Sequence, residues 1–155
     1  YMLGAFTNGS VAGEDAMMFA DNHDFADFDH AEIAKEQERV LAPTRREDGI
    51  PPNQIEYKAR RLVNDYLQPP KVSRKYEIGQ KRLAEVREDM EQGMMVTNAH
   101  ELMRALETHS ILDCADMAAH ASLYRTESRW GLYHLRTDYP EKNDKDWFCH
   151  TLLAK

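Results

Sequence analysis

The densest group of ionisable side chains lies in one short segment, YRTESRWGLYHLRTDYP, between residues 124 and 140. Its ionisable members are Arg125, Glu127, Arg129, His134, Arg136 and Asp138. Arginine pairs with carboxylates through two parallel hydrogen bonds, so one interpretation is a helix end and turn held by ion pairs. The other is a charged patch at a domain boundary, near a cofactor or a subunit. The residue types favour the first interpretation and leave the second open.

A second candidate arrangement follows one side of a predicted helix. His109, Asp113, Asp116 and His120 are spaced so that they share one helix face. Imidazole and carboxylate groups bind metals, but a metal here needs further ligands from another helix. No HExxH or ExxH pattern supplies them. A solvated or packed helix face is therefore the prediction, no metal site is predicted, and a metal-binding bundle remains the weakest alternative.

Composition narrows the function classes. With 155 residues and a formal net charge of −7, the chain can form one compact domain, with or without a tail. It lacks the basic excess of a nucleic-acid surface, and no apolar run approaches the roughly 20 residues of a membrane span. Its two cysteines, Cys114 and Cys149, lie far apart and outside any CxxC pattern, which is typical of a cytoplasmic protein. Because Asp113 and Asp116 disfavour a thiolate, Cys114 is predicted to be buried and structural.

Two helices with apolar faces are predicted in the middle of the chain. The first spans residues 53 to about 67, and its apolar face consists of Ile55, Ala59, Leu62, Val63, Tyr66 and Leu67. The second runs from its predicted cap, Ser73, to Gly93. Its stripe consists of Tyr76, Gly79, Leu83, Val86 and Met90. This spacing is typical of the seam of a helix bundle.

The longest predicted helix follows these two. Asn98, with Glu101 three residues later, forms a variant of the capping box, and the helix continues to about Thr126. Its broad face of apolar and small residues contains Leu102, Ala105, Leu106, His109, Leu112, Ala115, Met117, Ala118, Ala121 and Leu123. Three long helices joined by short turns predict an all-α protein built on an antiparallel, spectrin-repeat-like three-helix bundle.

Short helices are predicted before the bundle and an extended segment after it. The opening residues, YMLGAFTNGS, are apolar and rich in glycine, and they predict a turn with Ser10 as the cap of a short helix to about residue 21. A helix from His30 to Leu41 follows. The tail after residue 128 is expected to be extended, with Tyr133, Leu135 and Thr137 on one face. Such a start suggests the cut edge of a larger protein rather than a trimmed leader.

The segment from 125 to 147 resembles the end of the flavoprotein subunit of the succinate dehydrogenase and fumarate reductase family. L-Aspartate oxidase and the adenylylsulfate reductase alpha subunit are relatives. The family pattern is R-x-E-S-R-G-x-H, followed by D-Y-P, an acidic turn and a tryptophan. It is matched here by RTESR at 125 to 129, Gly131, His134, DYP at 138 to 140, ND at 143 and 144, and Trp147. Between Arg129 and His134 this chain has two residues more than the family pattern, and one of them is Trp130. The Arg-Trp pair resembles the adenylylsulfate reductase branch of the family more closely.

The opening stretch is similar to the R-L-G-x-N-S-L turn that ends the family's FAD domain. Such a turn and the helix after it present backbone N–H groups that favour negative charge on a reduced flavin. The resemblance implies FAD contacts from Phe6, Thr7, Asn8 and Gly9 in the full-length protein, and none in this chain alone. Met2 stands where the family has its substrate-binding arginine, so no substrate is predicted.

The resemblance also implies a domain plan and a function. Residues 1–29 would be the end of the FAD-binding domain and a connector, residues 30–128 the helical C-terminal domain, and residues 129–155 the tail. The parent protein would be an FAD-dependent oxidoreductase that passes electrons to an iron–sulfur subunit, while the fragment alone would be inactive. Arg129 and His134 are carried over from the motif as catalytic candidates. The alternative is a stand-alone helical interaction domain without enzymatic activity.

Overall fold

The computed structural model describes residues 2–25 and 27–153. It separates into two units, Tyr1–Gln37 and Glu38–Lys155. Regular structure in these described residues is helical, and β pairing among them is limited to isolated bridges. The prediction of an all-α protein is therefore confirmed. None of the described helices is long and apolar enough to cross a membrane.

The first unit contains α1, which spans Met2–Asn22, and most of α2, which spans His30–Leu41. The bounds of α2 are those predicted. Asp29 begins this helix, because its Oδ1 accepts a hydrogen bond from the Ala31 amide at 2.8 Å. This is the arrangement of an N-cap, in which a side-chain oxygen satisfies an amide of the first helical turn.

The predicted turn at residues 3 to 9 is wrong, because these residues belong to α1. Ser10 consequently lies inside the helix rather than at its start. Each described side chain of α1 is exposed, and Gly4 and Gly9 face open space where a Cβ would stand. Without a surface to hold a turn, the hydrogen bonds of a continuous helix satisfy the backbone of this stretch.

The second unit holds the remaining elements. A 3₁₀ turn spans Ala42–Arg45, and α3 spans Pro52–Leu62 and continues as a π-helical turn over Val63–Leu67. Helix α4 spans Ser73–Gly93 and α5 spans Ala99–Tyr124. After them come a 3₁₀ turn at Gly131–Tyr133 and the short α6 at Asp144–Trp147.

Helices α3, α4 and α5 form the core, and each contacts the other two. The five buried residues of α4 are those of the predicted stripe, Tyr76, Gly79, Leu83, Val86 and Met90. A Cβ on Gly79 would lie 2.9 Å from the Cβ of Tyr66, so only glycine allows the π-helical turn to come this close to α4. The antiparallel order of the three helices stays a prediction.

The buried stripe of α5 differs in part from the predicted face. It consists of Ala105, Thr108, Leu112, Ala115, Ala119 and Ser122. Leu106 and Met117, both predicted to face the core, are exposed. Cys114 is exposed as well, which corrects the prediction of a buried cysteine. The predicted face was too broad: Ala115 takes the core position next to Cys114, so the thiol lies outside the stripe.

Of the other two predicted helix caps, one is confirmed and one is wrong. The Asn98 side chain accepts a hydrogen bond from the Glu101 amide at 3.0 Å, and the Thr97 amide donates back to Glu101 Oε2 at 2.8 Å. Ser73 instead is the first residue of α4, and its hydroxyl donates to Asp138 Oδ2 at 2.6 Å. The Ser73 hydroxyl therefore binds a residue distant in sequence instead of capping the helix.

The tail after α5 is only partly extended. Lys71 pairs with it in an isolated parallel bridge, in which the Lys71 amide donates to the Leu135 carbonyl and the Thr137 amide donates to the Lys71 carbonyl, each at 2.8 Å. Tyr133 belongs to a 3₁₀ turn, so the predicted strand face of Tyr133, Leu135 and Thr137 does not form. Side-chain hydrogen bonds, rather than a sheet, fix this segment.

Candidate functional site

A tight reversal after α5 brings the ionisable segment back onto the end of that helix. Trp130 and Gly131 have φ angles of 58° and 61°, in the left-handed region that glycine adopts easily and tryptophan rarely. Across the reversal, the Arg129 amide donates to the His134 carbonyl at 3.0 Å. Residues on both sides of the turn are therefore held beside the C-terminus of α5.

Glu127 is the centre of the first of two polar networks. Its carboxylate is fully buried. Arg129 donates to both of its oxygens, from Nε at 2.6 Å and Nη2 at 3.0 Å, and Arg125 Nε donates to Oε1 at 2.8 Å. The Asn143 amide donates to Oε2 at 2.8 Å. These donors, Arg129 above all, outweigh the effect of burial and lower the pKa of Glu127 to about 2.

Arg136 is the centre of the second network, and only 1% of its surface is exposed. Its guanidinium binds Asp138 through two hydrogen bonds, from Nε at 2.8 Å and Nη2 at 2.7 Å. Nη1 donates to the Ser122 carbonyl at 2.5 Å and the Arg125 carbonyl at 3.2 Å. Carbonyls at the end of α5 need such donors, since the last helical turn leaves them unpaired. The Arg136 guanidinium lowers the pKa of Asp138.

Arg125 joins the first network to the end of the described chain. Its Nη1 donates to the Cys149 carbonyl at 3.2 Å and to Thr151 Oγ1 at 3.3 Å, and its Nη2 donates to the Trp147 carbonyl at 2.5 Å. The guanidinium also lies 5.4 Å from the centroid of the Trp147 ring. One arginine thus fixes the segment that follows α6 against the end of α5.

His134 and Lys71 meet beside these networks. Lys71 Nζ lies 3.3 Å from His134 Nδ1 and 3.0 Å from Ser122 Oγ. Because an ammonium only donates, Nδ1 must accept, and the proton of the neutral ring is placed on Nε2, which lies 3.4 Å from the Arg125 carbonyl. Burial first, and the Lys71 charge second, lower the pKa of His134.

A cleft of about 600 Å³ opens beside this meeting point. Lys71, Arg129 and His134 line it together with aromatic residues that include Trp130 and Trp147. The two catalytic candidates are therefore in the same cleft. The Arg129 guanidinium donates to two carboxylates of the protein. One is Glu127, and the other is Asp144, whose Oδ1 accepts from Nη2 at 2.7 Å.

All six ionisable residues of the segment thus come together: five form two networks centred on Glu127 and Arg136, and His134 lies beside them. Sequence reasoning missed three residues that contact this segment: Lys71, which contacts His134 beside the networks, the hydroxyl of Ser73 and the hydroxyl of Ser128. Ser128 Oγ donates to the Tyr139 carbonyl at 2.8 Å and accepts from the Arg136 amide at 2.8 Å. The ESR motif contained a signal for Ser128. No local pattern connects Lys71 or Ser73 to a segment more than sixty residues away.

The four residues expected to contact FAD lie on α1 and are exposed. Thr7 uses its hydroxyl within the helix, donating to the Leu3 carbonyl at 3.0 Å. A Cβ on Gly9 would meet no atom within 4 Å, so no close approach of the kind that requires glycine is made there. In this conformation, residues 6 to 9 do not fit a flavin cradle.

The helix face that carries His109, Asp113, Asp116 and His120 is occupied by contacts within the protein. His109 Nε2 lies 3.2 Å from Arg39 Nη1, Asp113 accepts from Arg87 Nη2 at 2.7 Å, and His120 Nδ1 lies 2.9 Å from the Asp116 carbonyl. Among the described residues, no group of three or more histidine, cysteine and acidic side chains is placed to hold a metal ion.

Comparison with known protein families assigns the chain to one of them. The model of the C-terminal domain of the fumarate reductase flavoprotein matches residues 58–155, which include the last five residues of α3, all of α4 to α6 and both networks. The chain belongs to this family. Its membership disfavours the alternative of a stand-alone interaction domain, and the resemblance at residues 125 to 147 is confirmed.

Individual relatives agree with this assignment. The chain is 43% identical over 54 residues to the succinate dehydrogenase flavoprotein subunit of Rickettsia conorii, which is 35% of this chain and 9% of the relative. It is 44% identical over 52 residues to that of Rickettsia bellii, covering 34% and 8%. The chain therefore matches only a small part of the length of these curated relatives.

Two solved structures share the fold. The Sdh1 complex of Mycobacterium smegmatis in its apo form aligns with a TM-score of 0.68 and 23% identity, over 77% of this chain and 20% of that chain. Quinol fumarate reductase FrdA of E. coli aligns with a TM-score of 0.66 and 18% identity, over 79% and 22%.

Proposed function

We propose that this chain is the C-terminal helical domain of the flavoprotein subunit of an FAD-dependent oxidoreductase. The family match across residues 58–155 carries the proposal. In the complete protein, FAD would supply hydride transfer, and an iron–sulfur subunit would accept the electrons. The domain itself would provide a rigid surface, and the flavin would be held by the rest of the protein.

The two networks support a structural role for the ionisable motif within that domain. Glu127 and Arg136 are buried, and their partners belong to the domain itself. The catalytic contribution of Arg129 and His134 remains a proposal. Their contacts favour positioning, because Arg129 holds Glu127 and Asp144, and His134 accepts from Lys71.

The exposed apolar side chains of α1 support contact with the FAD-binding domain. The large ones are Met2, Leu3, Phe6, Val11, Met17, Met18 and Phe19. Large apolar side chains exposed in this number on one helix mark an interaction site. We propose that α1 packs on the FAD-binding domain, and that residues 6 to 9 reach the flavin only in a conformation set by that contact.

The coding sequence upstream of residue 1 provides the first test. A segment that encodes a strand followed by GxGxxG and a helix is expected there, since this is the dinucleotide-binding fingerprint. A start codon directly before Tyr1, or a stop codon in frame, would contradict the proposal.

Co-expression with that upstream region as a separate polypeptide tests the contact. The chain is expected to co-purify with the upstream region and its bound flavin. A charge on the apolar surface, Phe6→Asp or Met18→Asp, should weaken this association at least about tenfold, because burying an unpaired carboxylate is costly. Asn22→Asp adds the same charge to α1 at a polar position seven residues after Asp15, on the same row of the helix, and is the matched control. Equal loss in all three variants would contradict an apolar interface.

A further inference from the structure

Among the described residues, the ammonium of Lys71 has no charged partner. Its contacts in the described residues are Ser122 Oγ at 3.0 Å, His134 Nδ1 at 3.3 Å and the Tyr76 ring, whose centroid is 5.8 Å away. An ammonium has three N–H donors, so one remains for another acceptor. Burial, together with the nearby Arg136, lowers the pKa of Lys71. A half-buried cation that is not compensated is costly, and an anion would relieve that cost.

The other charges that line the cleft are positive as well. Arg125 and Arg129 line it, and none of the described residues lining it is aspartate or glutamate. This stands out in a chain whose formal net charge is −7. Glu127 and Asp144 compensate the charges of Arg125 and Arg129, whereas no ion pair among the described residues involves Lys71. The cleft therefore favours an anion electrostatically.

The walls of the cleft are aromatic. Trp130, Tyr133 and Phe148 line it and are 78%, 85% and 82% exposed, and Trp147 completes the set. Aromatic residues exposed to this degree offer faces and edges on which a planar group can stack. The volume of about 600 Å³ lies in the range of small-molecule sites.

We propose that this cleft binds a small planar organic anion, an aromatic or heteroaromatic carboxylate. The free N–H of Lys71 donates to its carboxylate, and Trp130 and Trp147 contact its ring. The site is separate from the proposed flavin contacts of α1, and it requires neither flavin nor the upstream domain. A failure of this proposal therefore leaves the proposed function untouched, and the reverse also holds.

Trp130 and Trp147 are the two tryptophans of the chain, and both line the cleft, so intrinsic fluorescence reports on it directly. The test is a titration of the 155-residue chain with benzoate and with benzamide, which has the same ring and no charge. Benzoate is expected to change the fluorescence saturably and to bind at least about tenfold more tightly than benzamide, as expected for a charge-assisted hydrogen bond. Equal affinity of the two probes, or no saturable change with benzoate, would overturn the proposal.

A pair of variants assigns the binding to Lys71. Lys71→Met should weaken benzoate binding about tenfold or more and leave the benzamide response unchanged. Lys81→Met removes the same charge from an exposed position on α4 and should bind benzoate like the unchanged chain. Benzoate binding retained in Lys71→Met, or lost equally in both variants, would contradict the assignment.

A third variant keeps the test decisive if Lys71→Met does not fold, as judged by its circular dichroism. Trp130→Asn introduces a residue that tolerates the left-handed backbone and removes one aromatic wall of the cleft. It should weaken both probes, benzoate and benzamide, by similar factors. If benzoate then binds as tightly as before, Trp130 does not contact the ring and the proposed site is wrong.

Discussion

Two regions of the second unit are held together by opposite means. The bundle of α3, α4 and α5 buries a continuous apolar cluster that includes Ile55, Leu83 and Leu112. The segment after α5 buries Glu127 and Arg136 instead. An apolar core tolerates exchange of one hydrophobic residue for another of similar volume. A buried carboxylate between two arginines does not, because each group depends on the exact position of its partners.

The difference also determines how each region responds to a lost side chain. In the bundle, truncation leaves a cavity that neighbouring side chains can partly fill. In the networks, removal of one charge leaves the others buried and uncompensated. We therefore expect the larger losses of stability from the polar region, even though it contributes less apolar surface.

The largest effect is expected at Glu127. Glu127→Gln removes the charge that Arg125 and Arg129 share and should lower the free energy of unfolding by about 3–5 kcal/mol. Urea denaturation followed by circular dichroism measures it. Glu85→Gln is the matched control, since Glu85 pairs with Arg82 at 2.8 Å while both side chains are more than half exposed. That change should cost less than about 1 kcal/mol. Similar losses in the two variants would contradict a special role for the buried network.

The bundle provides the second test. Leu112 on α5 is 1% exposed, and Leu112→Ala should lower the free energy of unfolding by about 2–5 kcal/mol through lost burial and a cavity. Met117 on the same helix is 51% exposed, so Met117→Ala should change stability by about 0.5 kcal/mol or less. The pair separates the observed stripe from the broader predicted face. A large loss in Met117→Ala would mean that the face as first predicted is the correct one.

The same contrast explains what the sequence could predict. Apolar periodicity indicated all five buried residues of α4, because burial depends on spacing along one helix, and the proline at position 43 indicated the end of α2. It could not indicate that Ser73 would bind Asp138, or that Lys71 would meet His134, because those contacts join segments distant in sequence. The motif around Arg125 indicated that the charges belong together and left their pairing open.

The error at α1 has a different origin. Residues 3 to 9 were predicted as a turn by analogy with a domain end that contacts a flavin. In this structure they are helical and exposed. A turn of that kind depends on contacts with a surface outside the residues that form it. Local preference decides the conformation where those contacts are missing, so residue types alone cannot distinguish the two states.

The smallest expected effect is the pH dependence of stability, which should differ between the two regions. Acid protonates the carboxylates of the polar networks and leaves the apolar core unchanged. The pKa of Glu127 falls from 4.5 to about 2 on folding. A depressed folded-state pKa contributes stability that is present above the unfolded value and is lost as the pH falls through the folded value. The contribution should therefore be complete above about pH 5 and disappear between about pH 5 and pH 2.

The shift corresponds to an upper limit of about 3 kcal/mol. Asp138 and other carboxylates with lowered pKa values add losses in the same direction, so the unchanged chain alone does not isolate Glu127. The difference in unfolding free energy between that chain and Glu127→Gln does, and it should stay constant from pH 6 to about pH 5 and shrink from there to pH 2. The corresponding difference for Leu112→Ala should stay constant over the same range, because no proton is bound there. If the two differences varied with pH in parallel, the polar region would not be held by its charges.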